Sequence, residues 1–290
     1  MSEKPELEQD GDWNVVRMLE WATGFFRSKE VPSPRLSIEW LLSHILQVKR
    51  LDLYMQFDRP LSGEELDALR PLVRRRALHE PLQYITGSTD FHNITLRVAP
   101  GVLIPRPETE QLVELMLSEH PQNEVRRLLD VGTGSGCIAL ASKKERPGWQ
   151  VTAIDTSADA LRIAGENARA NGLDVTFTTG DLAAYEPPEK QHIIISNPPY
   201  IPEDEAAELA REVAGYEPAE ALVAADVEAV YRNLLRLCRN HLLPGGSFYF
   251  EINESHGNNL LLLCDKPPLS CRLVQDYSGK DRFIVGKLEK

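Results

Sequence analysis

Cysteine is scarce in this sequence: the 290 residues include four, which are Cys137, Cys238, Cys264 and Cys271. No two of them form a CxxC pair, and none has the spacing of a zinc-ligand set. A disulfide-stabilised secreted chain and a zinc-finger protein are therefore both excluded. The pattern predicts reduced thiols in a cytoplasmic protein that holds no metal.

Long apolar runs are also missing. The longest, around residues 260–264, is far shorter than the roughly 20 residues that span a bilayer. Residues 1–12 are acidic and polar, the opposite of a secretory signal. Because 42% of the residues are hydrophobic and 26% are charged, the composition is that of a folded globular protein. We expect neither membrane association nor secretion.

Positive charge is in deficit. There are 32 basic and 44 acidic side chains, which give a net charge of −12, and residues 86–290 alone hold 20 basic and 30 acidic side chains. Affinity for long nucleic acids comes largely from neutralised phosphates, so this region is a poor candidate for gripping DNA or RNA. We expect no direct nucleic-acid partner.

The chain length predicts two domains. Between Trp13 and Leu82 apolar residues recur three and four positions apart, which predicts a small bundle of about four helices. Ser62 and Glu65 have the spacing of a capping box at one helix start. Residues 74–76, three consecutive arginines, are expected to form a solvated helix face, with a partner contact as the alternative.

The character of the sequence changes after Pro81. Residues 84–87 and 91–98 are rich in β-branched and aromatic side chains with turn residues between them, which predicts a hairpin. The predicted division is therefore a helical domain over residues 1–83, a β-hairpin linker over residues 84–105 and an α/β domain over residues 106–290.

The third segment alternates short strand-like runs with helical stretches, which predicts a parallel sheet covered on both faces. The predicted strands are 128–131, 151–154, 175–178, 193–196 and 247–252, the helices are 136–146, 157–171, 226–241 and 256–265, and a closing hairpin spans 272–276 and 282–285. Ligands of such sheets bind beyond the C-terminal ends of the strands. The loops after Val131, Ile154, Thr179 and Ser196 are therefore the candidate sites.

The first of these loops is rich in glycine. It reads Gly132-Thr133-Gly134-Ser135-Gly136 and leads directly into a predicted helix. Glycine is needed where backbone turns tightly and lies close to a ligand, and a helix start presents free N–H groups. The spacing is neither the GxGxxG of dinucleotide-binding proteins nor a phosphate-binding P-loop. A turn that serves packing alone is the alternative.

Two further loops each begin with an acid. Asp155 ends the second strand, where a carboxylate can accept hydrogen bonds from both hydroxyls of a ribose. Asp181 follows the third strand, where it could meet the edge of an adenine while Leu182 packs on its face. Each acid alone is more often a helix cap, but in series they describe a nucleoside pocket.

The fourth loop is the sharpest signal. It reads Asn197-Pro198-Pro199-Tyr200, and its two prolines remove two backbone donors and stiffen the segment. Asn197 offers an acceptor oxygen and two N–H donors, and Tyr200 offers a flat ring. This combination can hold a planar amide or an aminopurine NH₂ group, whose two protons would meet two acceptors.

These motifs resemble those of class I S-adenosylmethionine-dependent methyltransferases of the NPPY type. Residues 102–110 (VLIPRPETE), residues 80–87 (EPLQYITG) after Arg75 and Arg76, and residues 216–218 with 221–226 (YEP and ALVAAD) further resemble the release-factor glutamine N5-methyltransferases, the PrmC/HemK family. The resemblance covers nearly the whole chain. It departs at Glu251-Ile252-Asn253, where the family has an EIG-like run, and at Leu182, where a bulky aromatic residue is common.

The resemblance implies a seven-stranded, Rossmann-like class I methyltransferase sheet with a small N-terminal helical bundle that recognises the substrate. It implies S-adenosylmethionine as the cofactor and class 1 peptide-chain release factors as the partners, methylated on the glutamine of their Gly-Gly-Gln motif. The implied cofactor-binding residues are Gly132, Thr133, Gly134, Ser135, Gly136, Asp155, Asp181, Leu182 and Asn197. No long apolar stripe favours an obligate dimer, so we expect a monomer.

The hypothesis for catalysis places the substrate amide against residues 197–200. The Asn197 side-chain oxygen and the Pro198 carbonyl would accept its two N–H protons, Pro199 would stiffen the loop, and Tyr200 would pack against the amide plane. The alternatives are an N6-adenine methyltransferase acting on nucleic acid, a non-catalytic nucleoside-binding protein and a nicotinamide oxidoreductase. The acidic charge opposes the first, the intact motifs oppose the second, and the glycine spacing opposes the third.

Overall fold

The computed structural model describes residues 13–121, 124–264 and 266–289. Contacts divide the chain into two compact units, one that ends at Thr86 and one that begins at Gly87. The finer division into residues 1–83, 84–105 and 106–290 stays a prediction. The acidic residues 1–12 lie outside the described part of the chain.

The smaller unit is helical, as predicted. Its helices are α1 (Val15–Ser28), α2 (Pro34–Leu46), α3 (Gly63–Ala77) and α4 (Leu82–Thr86), with a 3₁₀ helix at Arg50–Met55 between α2 and α3. The capping box at the start of α3 is confirmed: the Ser62 hydroxyl accepts a hydrogen bond from the Glu65 N–H, and the Glu65 carboxylate accepts one from the Ser62 N–H. Apolar side chains from these helices form one buried core.

The strand-like character of residues 84–87 was a wrong prediction. The N–H groups of Tyr84 and Ile85 both donate to the Pro81 carbonyl, each at 3.1 Å, so the chain turns into the short helix α4. Both side chains are buried. The aromatic and β-branched residues that suggested a strand are core residues of a helix, because burial outweighs their weak intrinsic preference.

The solvated arginine face was also wrong in part. Arg76 is 3% exposed and donates to the Ser37 hydroxyl at 3.1 Å and to the Glu80 carbonyl at 2.8 Å. Arg75 forms a two-pronged ion pair with the Glu80 carboxylate. Arg74 is the exposed member of the three. Charge alone could not separate them, since a guanidinium is buried wherever enough acceptors surround it.

The larger unit begins with a hairpin and continues as an alternating α/β chain. Its elements are β1 (Ser88–Phe91), β2 (Ile94–Arg97), α5 (Pro107–Glu119), β3 (Arg127–Val131), α6 (Cys137–Glu145), β4 (Gln150–Asp155), α7 (Ala158–Asn171), β5 (Thr176–Thr179), β6 (Gln191–Ser196), β7 (Ile201–Pro202), α8 (Arg211–Ala214), β8 (Val223–Ala224), α9 (Val227–His241), β9 (Leu242–Glu251), α10 (Gly257–Cys264), β10 (Leu269–Gln275) and β11 (Asp281–Leu288).

Seven of these strands form one sheet, in the order β10-β11-β9-β6-β3-β4-β5. Strands β3, β4, β5, β6 and β9 are parallel, while β11 runs antiparallel to β9 and β10 antiparallel to β11. The predicted seven-stranded α/β sheet and its closing hairpin are confirmed. The C-terminal ends of the parallel strands therefore meet at one edge, where ligands of such sheets bind.

Helices cover both faces of the sheet. One buried core joins the sheet to α5, α6, α7 and the β1–β2 hairpin, and a second joins it to α9 and α10. Within the described residues no helix is long and apolar enough to cross a membrane.

Helix α5 is an element that the sequence interpretation missed. Pro107 occupies its first turn together with Glu108 and Glu110, a favourable start because proline lacks an N–H there and acids complement the helix dipole. Its buried side chains, Leu112, Val113, Met116 and Leu117, have helical spacing. These helix signals lie partly within the VLIPRPETE segment, which also carries the family resemblance.

Replacement of Arg76 tests its structural role. Arg76→Ala removes the donors that satisfy the Ser37 hydroxyl and the Glu80 carbonyl in a buried position, so we expect the free energy of unfolding to fall by about 2–4 kcal/mol. Arg74→Ala, in the exposed neighbour, is the matched control and should change it by less than about 0.5 kcal/mol. Urea denaturation followed by circular dichroism measures both, and equal effects would refute the assignment.

Candidate active site

A cavity of about 310 Å³ opens at the C-terminal edge of the sheet. Loops that follow β3, β4, β5 and β6 all contribute to its wall, as predicted. The predicted site residues that line it are Gly132, Gly134, Asp155, Asp181, Leu182, Asn197, Pro198 and Pro199. The remaining predicted residues, Thr133, Ser135, Gly136 and Tyr200, are not among the lining residues and lie within two positions of one in the chain.

The glycine loop adopts a backbone that other residues rarely take. Gly132, Gly134 and Gly136 have φ angles of +73°, +55° and +85°, in the left-handed region that favours glycine. A Cβ atom on Gly132 or Gly134 would meet no atom within 4 Å, whereas one on Gly136 would lie 3.1 Å from the side chains of Ala164 and Leu140. Gly136 thus serves packing, while the first two glycines leave open space beside the cavity.

A buried acid supports this loop from below. The Asp130 carboxylate accepts a hydrogen bond from the Thr133 hydroxyl at 2.6 Å, and its other oxygen has no hydrogen-bond partner among the described residues. Burial raises the pKa of Asp130 to about 7. Thr133 therefore takes part in holding the loop rather than in lining the cavity.

Asp155 connects two loops of the cavity wall. One carboxylate oxygen accepts a hydrogen bond from the Gly134 N–H at 2.8 Å, and the other accepts one from the Ser157 N–H at 2.9 Å. The helix cap itself is made by the Ser157 hydroxyl. Asp155 is half-buried at the cavity wall. A carboxylate oxygen can accept more than one hydrogen bond, so each oxygen keeps acceptor capacity for a ligand.

The next acid is bound less tightly. One Asp181 carboxylate oxygen accepts a hydrogen bond from the Ala183 N–H at 2.9 Å, and the side chain is otherwise exposed. Leu182 packs partly against the sheet core and partly lines the cavity. The cavity therefore has a carboxylate and an apolar side chain next to each other at the end of β5.

The Asn197 side chain is held by one end. Its Nδ2 group donates to the Thr109 hydroxyl at 3.0 Å, and the Thr109 hydroxyl donates to the Glu251 carboxylate at 2.8 Å. Among the described residues none donates a hydrogen bond to the Asn197 Oδ1 or to the Pro198 carbonyl. Two acceptors of neighbouring residues are thus left at the cavity wall.

Glu251 also binds Tyr200, the last residue of the Asn197-Pro198-Pro199-Tyr200 loop. Its second carboxylate oxygen accepts from the Tyr200 hydroxyl at 3.1 Å, and the Tyr231 hydroxyl donates to its backbone carbonyl at 2.7 Å. Glu251 and Thr109 are each 1% exposed. Burial raises the pKa of Glu251 to about 7, although the hydrogen bonds from Thr109 and Tyr200 oppose the rise. Burial beside this carboxylate also raises the pKa of Tyr200.

Thr109 and Glu251 are the site residues that the sequence interpretation did not assign. Thr109 lies inside the VLIPRPETE segment, and Glu251 begins the stretch that departs from an EIG-like run. The sequence does carry a signal for Glu251, because this residue lies at the end of β9, at the same edge of the sheet as the four candidate loops. No local signal marks Thr109.

An ion pair between the half-buried Arg106 and the buried Glu217 joins two stretches of the cavity wall. The Glu217 carboxylate accepts from the Ile104 N–H at 3.0 Å and from the Arg106 guanidinium at 2.6 Å. This ties residues 101–103 to residues 218–221, and both stretches contribute to the cavity wall. Strand β7, directly after Tyr200, pairs with β8, and next to this pair the Ile201 N–H donates to the Leu222 carbonyl. The segment after residue 218 is thereby held against the Asn197-to-Tyr200 loop.

The chain matches known families over most of its length. A sequence profile described as the PrmC N-terminal domain matches residues 17–87, and one described as the methyltransferase small domain matches residues 93–214. The release factor glutamine methyltransferase of Geobacter sulfurreducens is 40% identical over 292 residues, which cover 99% of this chain and 100% of that protein. That of Chlorobaculum tepidum is 39% identical over 289 residues, covering 96% and 98%.

Solved structures support the fold. A methyltransferase from Pyrococcus furiosus has a TM-score of 0.50 at 18% identity and covers 66% of this chain and 87% of its own. The T. thermophilus 16S rRNA N2 G1207 methyltransferase, solved with AdoMet and guanosine, has a TM-score of 0.51 at 18% identity and covers 70% and 50%. At this identity the likeness concerns the class I methyltransferase fold alone.

The pH dependence of stability tests the buried Asp130. Because its folded-state pKa is raised from 3.8 to about 7, the folded protein holds this proton more tightly than the unfolded chain, and stability is lost as pH rises through that window. From pH 5 to pH 8 the free energy of unfolding of the wild type should therefore fall, relative to that of Asp130→Asn, by on the order of 2 kcal/mol. Urea denaturation at each pH measures the difference.

Asp174, an exposed acid in the same unit, supplies the control for this measurement. Asp174→Asn should follow the wild-type pH profile throughout. If Asp130→Asn also follows it, the Asp130 carboxyl does not titrate in this range and the account of its burial is wrong.

Proposed function

Because the chain belongs to the family of release factor glutamine methyltransferases, we propose that it methylates the side-chain amide nitrogen (N5) of the glutamine in the Gly-Gly-Gln motif of class 1 peptide-chain release factors, with S-adenosylmethionine as the cofactor. One observation carries this proposal. The Asn197 NH₂ group is bound to Thr109, so its Oδ1 remains for a donor such as a primary amide, beside the Pro198 carbonyl.

The cavity fits the proposed cofactor. Gly132 and Gly134 leave open space where a Cβ would stand, and Asp155 offers carboxylate oxygens that can accept from ribose hydroxyls. Asp181 and Leu182 would meet the adenine edge and face. Thr133, Ser135 and Gly136 would contribute indirectly, because they fix the backbone of Gly132 and Gly134, the two glycines that line the cavity.

The chain's own residues bind and orient the substrate amide. A glutamine nitrogen is a weak nucleophile because its lone pair is delocalised into the carbonyl, so alignment contributes much of the catalysis. The Asn197 Oδ1 and the Pro198 carbonyl accept its two N–H protons and fix the nitrogen, and Pro199 keeps the loop stiff. Tyr200 follows the last lining residue and is held by its hydroxyl on Glu251, so contact of its ring with the amide plane would require the substrate to reach past Pro199. S-adenosylmethionine supplies a methyl group that its sulfonium charge has already activated.

Charge balance requires one proton to leave. The glutamine nitrogen gains the methyl group and loses one of its two protons to solvent, which leaves a neutral secondary amide. No dedicated general base is needed, because the proton becomes acidic as charge develops on the nitrogen.

The surroundings of the reaction follow from the same proposal. We infer a monomer that acts in the cytoplasm on a protein loop, with the smaller helical unit as a second contact surface for the release factor and no direct contact with nucleic acid. The excess of acidic side chains in residues 86–290 supports a protein substrate over N6-adenine methylation of nucleic acid. Two glycines before the target glutamine would let its backbone enter a narrow slot.

Methyl transfer to a purified release factor tests the function. We expect peptide mass spectrometry to find one added methyl group on the Gly-Gly-Gln glutamine after incubation with the protein and S-adenosylmethionine. Asn197→Ala should lower kcat by at least about 100-fold, the size of loss typical when a key oriented hydrogen bond is removed. Its affinity for S-adenosylhomocysteine, measured by calorimetry, should stay within a few-fold.

The competing activity is measured in the same assay. Methylation of adenine in a DNA or RNA control, without methylation of the release factor, would replace the proposal by the nucleic-acid alternative. Wild-type turnover by Asn197→Ala would refute the role of Asn197 and leave the substrate assignment intact.

Cofactor binding depends on Asp155 in this account. Asp155→Ala removes the carboxylate that would accept from both ribose hydroxyls and that also holds the Gly134 N–H. We expect the affinity for S-adenosylhomocysteine to fall by at least about tenfold, which corresponds to one or two lost charge-assisted hydrogen bonds. Asp174→Ala, on the surface of the same unit, is the control, and an unchanged dissociation constant for Asp155→Ala would contradict the assignment.

A further inference from the structure

We propose that Glu251 and Thr109 are positioning residues that decide which end of the Asn197 amide faces the substrate, and thereby make the site select the nitrogen of the target glutamine over its carbonyl oxygen. This inference rests on the proposed function. It assigns a specificity role to two buried residues that do not line the cavity.

The first step is the direction of the hydrogen bonds. An ionised carboxylate only accepts, so the Thr109 hydroxyl, 2.8 Å from Glu251, must donate its one proton to it. The oxygen of Thr109 is then left as an acceptor for Asn197, 3.0 Å away. Only the NH₂ end of the Asn197 amide satisfies that acceptor. The carboxylate therefore fixes the amide orientation through one intermediate hydroxyl.

The second step is the rigidity of the chain of bonds. Glu251 and Thr109 are almost wholly buried, so water does not compete for these groups. The Tyr200 hydroxyl donates to the second carboxylate oxygen and the Tyr231 hydroxyl to the backbone carbonyl of Glu251. The carboxylate is thereby held at the side chain and at the backbone, and its orientation is set before any substrate binds.

The third step concerns the substrate. The two ends of a primary amide have nearly the same size, so the shape of a slot cannot distinguish nitrogen from oxygen. With the Asn197 Oδ1 exposed, the partner must be an N–H donor, which places the glutamine nitrogen at the reacting position. A flipped Asn197 would present its NH₂ group and hold the glutamine by its carbonyl oxygen, a bound but unproductive arrangement.

The orientation of the Asn197 amide also depends on the ionisation state of Glu251. Besides Tyr200, the titratable groups that interact electrostatically with the Glu251 carboxyl are Arg282 on β11, Glu108 on α5, Tyr231 on α9 and Cys137 on α6. Burial raises the pKa of Glu251 while Arg282 lowers it. A protonated Glu251 can donate to Thr109, which frees the threonine proton to donate to the Asn197 Oδ1 and reverses the amide. Activity should therefore fall on the acid side of this titration.

Substitutions at Thr109 form a matched pair for the test. Thr109→Val keeps the shape and removes the hydroxyl, whereas Thr109→Ser keeps the hydroxyl and removes a methyl group. With a release factor as substrate, we expect Thr109→Val to lower kcat by about 10- to 100-fold while KM and the affinity for S-adenosylhomocysteine change less than about threefold. Thr109→Ser should restore kcat to within about threefold of the wild type.

The pH profile and an amide signal separate positioning from a purely structural role. The wild type and Thr109→Ser should lose kcat about tenfold per pH unit below the Glu251 titration, and Glu251→Gln should have low activity without that inflection. In protein labelled with ¹⁵N-asparagine, the Asn197 side-chain protons should exchange slowly with solvent in the wild type and fast in Thr109→Val.

The outcomes distinguish this inference from the proposed function. If the wild type does not methylate the release factor, the proposed function fails. If the wild type does methylate it and Thr109→Val has wild-type kcat, or if Thr109→Ser is as impaired as Thr109→Val, the positioning role is wrong and the function stands.

Discussion

The buried carboxylate of Glu251 is the constraint on which the candidate site depends. It accepts from Thr109 at one oxygen and from Tyr200 at the other, so it joins helix α5, the end of strand β9 and the Asn197-to-Tyr200 loop. A carboxylate buried without such donors would cost several kcal/mol. Here the buried Glu251 carboxylate is satisfied by these donors, and through Thr109 it holds the Asn197 amide that would contact the substrate.

The sheet makes this meeting possible. Parallel strands end at a common edge, so β3, β4, β5 and β6 bring the glycine loop, Asp155, Asp181 and the Asn197 loop to one cavity, and β9 places Glu251 next to the Asn197 loop without lining the cavity. The β1–β2 hairpin and α5 pack on one face of the sheet and α9 and α10 on the other. In the proposed complex, residues of the first three loops would surround the cofactor, and the residues at the ends of β6 and β9 would bind and orient the substrate amide.

Much of this arrangement could be predicted from the sequence. Alternating short apolar runs predicted the strands, and the glycine loop, the two acids and Asn197-Pro198-Pro199-Tyr200 predicted which loops line the cavity, because these signals are local. The Thr109–Glu251 bond joins residues 142 positions apart, and no spacing rule encodes such a pair. The burial of Arg76 was missed for the same reason, since two of its acceptors, Pro32 and Ser37, lie on a distant stretch of chain.

The orientation of the Asn197 amide is the central claim, and a crystal structure of the protein with S-adenosylhomocysteine and a release factor tests it most directly. The account predicts that the target glutamine nitrogen lies within hydrogen-bond distance of the Asn197 Oδ1 and of the Pro198 carbonyl, with Thr109 still between Asn197 and Glu251. A glutamine carbonyl oxygen bound by Asn197, or an Asn197 side chain turned away from Thr109 in the complex, would contradict it.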